Sequence, residues 1–150
     1  MRDATARRLS TLHRLTYAAT SGRLGRRLVR NEMLLLTTVG RSSGRRHTVP
    51  LLYLADTDDN RSVIVIASWG GRDRHPDWYV NLVANPAVEV QIEGTRYRAS
   101  AAPLHEPERI EWWRRAVAAY PGYQEYQRRT KRRIPLVRVT PEYRAPSTER

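Results

Sequence analysis

Between Leu34 and Pro86 the chain alternates short apolar runs with turns that pair glycine and arginine, a pattern of hairpins rather than long helices. The run Met33 to Val39 ends in Gly40-Arg41-Ser42-Ser43-Gly44-Arg45-Arg46, and a second strand follows over Arg46 to Leu54. That loop is longer than a two-residue hairpin turn. A third strand, Val63-Ile64-Val65-Ile66-Ala67, is continuous in apolar, mostly β-branched residues, which predicts burial on both faces. It leads into Ser68-Trp69-Gly70-Gly71-Arg72 and a short helix from His75 to Leu82 with Pro76 in its first turn. Val88 to Ile92 alternates strictly, with one wet face, and Glu93-Gly94 turns it into a fifth strand, Thr95 to Ala101. A sixth strand spans Leu136 to Thr140.

Three helical stretches frame these strands. Residues 4–20 place Leu9, Leu12 and Leu15 near one face with Arg7, Arg8 and Arg14 off it. Such a helix suits packing on its own domain or lying on an anionic membrane surface. Residues 107–119 put Ile110, Trp113 and Val117 on a stripe with Trp112 beside it, and Tyr120 to Tyr126 reads as a loop entering a short helix. Strands in hairpins with helices around them predict a mainly β (α+β) fold, an antiparallel barrel or closed sheet. The expected division is a basic helix and turn over 1–32, a barrel domain over 33–142 and a disordered tail over 143–150.

The charge is unevenly spread around a net +12. Residues 1–47 carry net +9, residues 48–100 net −2 and residues 101–150 net +5. Basic ends around a near-neutral middle point to an anionic partner: a polyanionic ligand, an acidic lipid surface or nucleic acid. Nucleic acid fits least, because the aromatic residues are not interleaved with the N-terminal arginines. No apolar run is long enough to cross a membrane and no secretory leader is evident, so the expected location is the cytoplasm. The first helix adds the option of contact with the inner membrane face.

With no cysteine, disulfides and thiolate catalysis are excluded. His13, His47, His75 and His105 form no metal-ligand pair at helical spacing. Neither a Gly-x-Ser-x-Gly elbow nor a phosphate-loop lysine motif is present. Carboxylate pairs at Asp58/Asp59 and Glu108/Glu111 fall in a polar turn and on an exposed helix face, where they read as solvated surface. Enzymatic chemistry would therefore need a bound organic cofactor. The two turns suit an elongated anion, because glycine lets backbone N–H groups approach a ligand and arginine offers a planar fork.

An ordered set of fragments carries a resemblance. Gly40-Arg41-x-Ser43-Gly44, Thr48-Val49-Pro50-Leu51, Ser68-x-Gly70-Gly71, His75-Pro76-x-Trp78-Tyr79-x-Asn81-Leu82-x-Ala84-Asn85-Pro86 and Tyr120-Pro121-x-Tyr123-x-x-Tyr126 occur together. This resembles the deazaflavin (coenzyme F420)-dependent nitroreductase and quinone reductase family. The resemblance implies a split β-barrel that passes hydride from reduced coenzyme F420 to a quinone, nitroaromatic or similar electron-poor acceptor. An FMN-binding reductase or oxidase of the same barrel is the alternative enzyme, and a basic membrane or nucleic-acid module the non-enzymatic one.

By the same resemblance the cofactor's anionic tail contacts Gly40, Arg41, Ser42, Ser43, Gly44, Arg45, Arg46 and His47. It also implicates Pro50, Leu51 and Leu52 on the second strand, and Ala67, Ser68, Trp69, Gly70, Gly71 and Arg72. Where the family commonly has basic residues, this chain has Ser42, His47 and Trp69, so weaker binding of the phosphorylated cofactor is expected unless Arg41, Arg45, Arg46 or Arg72 substitutes for the lost charge. Tyr120, Tyr123 and Tyr126 are expected around the ring and acceptor, with Tyr123 the first choice of proton donor. Trp78 is expected in the core, and Asn81 and Asn85 as braces of the helix end. A homodimer is expected by analogy.

Overall fold

The structure, a computed structural model, describes residues 33–56 and 61–142. Six antiparallel strands close a barrel in the order β1-β2-β3-β6-β5-β4. They are β1 (Met33–Val39), β2 (Arg46–Ala55), β3 (Val63–Ile66), β4 (Ala87–Ile92), β5 (Thr95–Pro103) and β6 (Leu136–Pro141). Three helices lie outside: α1 (Asp77–Ala84), α2 (Glu108–Ala119) and α3 (Gly122–Arg128). The expected strands are all present, most lengthened by a residue or two. Pro76 stands just before α1 with extended backbone (φ −62°, ψ 151°) rather than inside its first turn. The expected helix over 4–20, the carboxylates Asp58 and Asp59, and the tail over 143–150 lie outside the described residues.

The period-2 alternation of a strand explains why β3 is apolar throughout. Val63 and Val65 join the barrel interior with Leu34, Leu36, Val90 and Val139, which Trp78 and Leu82 of α1 close. Ile64 and Ile66 face outward into a second cluster with Leu136, Trp112, Ala116 and Tyr123, contributed by β6, α2 and α3. Both faces of β3 are thus dry, as its composition predicts.

The buried line of α2 is Trp112 and Ala116, one turn apart, and not the expected stripe, since Ile110 is exposed. Trp113 and Val117 only pack at the margin of the second cluster. Glu108 is not free surface either. Arg138 of β6 donates to both its carboxylate oxygens at 2.9 and 3.1 Å and to the buried Asp56 at 3.0 Å, tying α2 to the sheet.

One departure from regular pairing shapes the molecule. β2 pairs with β1 over seven residues from Arg46 to Leu52, but with β3 only through Tyr53, Leu54 and Ala55. The first half of β2 therefore diverges from the end of β3, and Pro50, which has no N–H to give to a neighbouring strand, sits in that half.

Candidate functional site

The divergence opens a groove of about 750 Å³, within the range of organic ligand sites. The β1–β2 turn forms one end, Thr48 to Leu51 of β2 one wall, Ser68 and Trp69 another part of the rim, and Trp78 and Asn81 of α1 the remainder. The two glycine-arginine turns, far apart in sequence, therefore border one space.

The first turn is organised by its own backbone. Gly40 N–H donates to the Arg45 carbonyl at 2.7 Å, and Gly44 N–H to the Gly40 carbonyl at 2.9 Å. Gly44 has φ +69°, and a Cβ on Gly40 would collide with the Ser43 hydroxyl and crowd the His47 ring. Arg41 folds back toward α1: its backbone N–H and its Nη1 both donate to Asn81 Oδ1, at 3.1 and 2.8 Å, and Nη2 reaches Asp77 at 3.4 Å. Asn81, only 3% exposed, in turn donates to Thr38 Oγ1 at 3.4 Å. Arg46 pairs with Glu89 on β4. Arg45 has no carboxylate partner among the described residues, so its charge faces solvent at the turn.

The second turn is strained. Trp69, Gly70 and Gly71 have φ of +42°, +64° and +80° in succession, and for a tryptophan this costs of order 1–3 kcal/mol. A Cβ at Gly71 would strike the Tyr126 carbonyl, so α3 packs directly on backbone here. Ser68 is right-handed (φ −78°, ψ −40°), and a right-handed residue followed by left-handed ones turns successive N–H groups toward a common point. By that rule the backbone angles turn the amides of Ser68, Trp69 and Gly70 toward one another, a geometry suited to an anionic oxygen. Arg72 and Arg74 stack on the Trp69 ring with guanidinium carbons 4.6 and 5.1 Å from its centre, adding positive charge at the rim.

Behind this turn lies a residue that sequence reasoning missed. Arg132 donates from Nε to the Arg72 carbonyl at 2.6 Å, from Nη1 to Ala67 at 3.1 Å and from Nη2 to Ser68 at 2.8 Å. Nη1 also lies 3.1 Å from His75 Nδ1. Burial lowers the His75 pKa, and the Arg132 cation lowers it further, which keeps the ring neutral and able to accept this bond.

Of the residues singled out from sequence, Gly40, Arg41, Ser42, Ser43, His47, Pro50, Leu51, Ser68 and Trp69 line the groove. Gly44, Arg45 and Arg46 shape or flank the first turn without lining it. Leu52 also stays off the groove wall. Ala67 is fully buried, its N–H donating to the Pro135 carbonyl at 2.9 Å and its carbonyl accepting from Arg132. Gly70, Gly71 and Arg72 build the second turn from outside the groove. Trp78 is core as expected, and it also forms groove wall. The Asn81 side chain reaches Arg41 and Thr38 rather than the helix end, where its carbonyl accepts the ordinary helical bond from the Asn85 N–H.

The tyrosines adjoin the second turn and do not line the groove. Tyr123 is 6% exposed and packs in the outer core cluster, its pKa pushed up by burial first and by Tyr120 and Tyr126 next. Its ring centre lies 5.0 Å from Tyr120 and 6.3 Å from Tyr126. Tyr120 and Tyr126 are half-buried, with their hydroxyls 3.4 Å apart. Tyr123 is thus the least accessible of the three.

A split barrel with a groove bordered by two glycine turns sets the class by fold and site geometry, and comparison with known proteins narrows it. The family model described as F420H(2)-dependent quinone reductase matches residues 9–141. An F420H(2)-dependent quinone reductase of Mycobacterium tuberculosis is 37% identical over 136 residues, spanning 88% of this chain and 89% of its own length. Among solved structures, an F420-H2 dependent reductase is 41% identical with a TM-score of 0.63, covering 72% of this chain and 93% of the other. Another, titled a domain-swapped dimer, is also 41% identical, with a TM-score of 0.64 over 72% of this chain and 79% of the other. The chain belongs to the F420H(2)-dependent quinone reductase family, a family of oxidoreductases. Among the described residues no helix is long and apolar enough to cross a membrane.

Proposed function

We propose that the groove binds coenzyme F420 in its reduced form and that the chain passes its hydride to a quinone, with nitroaromatic or similar electron-poor compounds as further acceptors. The observation that carries this reading is that Ser68 and Trp69, at the right-to-left-handed start of the second turn, line one groove with the arginine-bearing first turn. The residues fit a long, anionic, partly aromatic molecule. Phosphate oxygens match the cradle and the nearby guanidinium groups, where each charge-assisted bond adds roughly 1.5–3 kcal/mol. The apolar Val49, Leu51 and Trp78 form walls suited to a flat ring.

When bound, the reduced deazaflavin supplies the hydride. The chain's own residues would bind and orient it, keep water from the ring, and deliver a proton to the acceptor oxygen. Arg41, held by Asn81 and Asp77, presents a fixed charge rather than a mobile one. For the proton, the Tyr120 and Tyr126 hydroxyl pair is the proposed source, and Tyr123 packs edge-on against both rings. The Tyr126 pKa is raised, first by its bond to Tyr120 and then by burial, so its hydroxyl keeps its proton at neutral pH.

Titrating the purified protein with coenzyme F420, FMN and FAD tests the cofactor. Micromolar affinity for the deazaflavin alone supports the proposal, and preference for a flavin contradicts it. Replacing Tyr126 with Phe should lower quinone turnover by roughly 10²-fold with little change in cofactor affinity. Unchanged turnover in that variant and in Tyr120→Phe removes the tyrosines from proton delivery. A homodimer is proposed because a solved relative is a domain-swapped dimer, with light scattering as its check. Contact of residues 4–30 with a membrane surface, proposed from charge alone, is checked by vesicle sedimentation with and without that segment.

A further inference from the structure

We propose that Arg132 is the positioning residue of the anion site: by pinning the carbonyls of the second turn from behind, it aims the turn's amides into the groove. This rests on the reading of the groove as a cofactor site. The argument begins with peptide planarity. In a trans peptide the carbonyl of one residue and the N–H of the next point in opposite directions. Arg132 receives the Ala67 and Ser68 carbonyls at 3.1 and 2.8 Å, so the N–H groups of Ser68 and Trp69 point away from it. Ser68 and Trp69 are also the residues of this turn that line the groove.

A second observation shows why such a device is needed. The two glycines take their left-handed backbone freely, but Trp69 at φ +42° persists only where its surroundings over-determine it. Two backbone bonds, Gly71 N–H to Ser68 at 2.9 Å and Arg72 N–H to Trp69 at 3.3 Å, hold the turn from within. Arg132 adds three from outside, at 2.6 to 3.1 Å, with all three guanidinium nitrogens engaged. Its neighbour Arg129 places Nη1 3.5 Å from the Gly70 carbonyl. A planar fork of fixed donors can satisfy several carbonyls at once, whereas a lysine ammonium at the end of a flexible chain cannot reproduce that geometry. Arg132 is thus distinct from the arginines of the rim: it acts through backbone, with its nitrogens turned to the carbonyls of the turn and to His75.

The decisive variant is Arg132→Lys, which keeps the charge and removes the fork. Coenzyme F420 is expected to bind it at least about tenfold more weakly. Its kcat at saturating cofactor should stay within about twofold of the wild type, and its KM for quinone should hold. The salt dependence of cofactor binding should also be unchanged, because no charge facing the ligand has been lost. Equal cofactor affinity in the variant overturns the inference, as does a loss confined to kcat. Backbone amide NMR on the wild-type protein gives a test that needs no variant. Adding the cofactor should shift the Ser68, Trp69 and Gly70 amides most, and shifts confined to the first turn would overturn the inference. If the wild type binds no coenzyme F420, the cofactor reading falls, and inorganic phosphate alone decides the positioning role. Phosphate must then move those three amides in wild type and move them less in Arg132→Lys; equal shifts in both would refute it.

Discussion

The two turns that border the groove are built on opposite plans. The first, Gly40 to Arg46, is exposed, closes on its own backbone bonds, and presents side chains: Arg41 steered by Asn81, and Arg45 facing solvent. The second, Ser68 to Arg72, is partly buried, carries three left-handed residues in a row, and presents backbone amides held from behind by Arg132. One end of the groove thus supplies charge, which is tolerant of position, and the other supplies geometry, which is not. On the proposed reading a ligand gripped by both would be fixed in register along the groove, as transfer of a hydride between two flat molecules requires.

Glycine substitution separates the two plans most sharply. Gly71→Ala adds a Cβ that meets the Tyr126 backbone at a left-handed position, and should cost roughly 2–4 kcal/mol in urea unfolding. Gly44→Ala, also at positive φ but with open space around it, should cost only about 1 kcal/mol. Similar costs at the two positions would mean that the second turn is no more constrained than the first.

Asn81→Ala comes next in size. It removes the acceptor of the Arg41 backbone N–H and guanidinium and the donor to Thr38, at a cost of about 1–3 kcal/mol. Cofactor affinity should fall with it, because Arg41 loses its orientation. A variant that loses stability but not affinity would show that the first turn works by charge alone.

The smallest expected effect concerns His75. Its folded-state pKa is lowered, by burial and then by Arg132, so the folded protein resists protonation that the unfolded chain accepts. The stability this group contributes is complete above the unfolded pKa of about 6.5 and declines as the pH falls below it toward the folded value. Melting temperature should therefore drop modestly below about pH 6.5, and less so in His75→Gln. Identical profiles for the two proteins would separate His75 from the second turn.

The sequence made the strands legible because their signals are local. Strict alternation at Val88 to Ile92 and unbroken β-branching at Val63 to Ile66 each state which faces are dry. The face of α2 was harder to read. Trp112 and Trp113 are adjacent, either can head an apolar stripe, and what selects Trp112 is contact with β3 and β6 in the folded molecule. Arg132 was not legible at all, since its partners are backbone carbonyls sixty or more residues away, and any sequence could provide a carbonyl. Asn81 fell between: its helix position was clear, but its hold on Arg41 is a contact forty residues distant. The turn motifs marked the groove's ends, while Thr48, Val49 and Ile66 became groove wall only through the divergence of β2 from β3.

The most direct test is a crystal structure of the protein with coenzyme F420 bound. The account predicts a phosphate oxygen within hydrogen-bonding distance of the Ser68 and Trp69 amides, with the flat ring against Val49, Leu51 and Trp78. A phosphate held at the first turn alone, with the second turn's amides facing solvent, would contradict it.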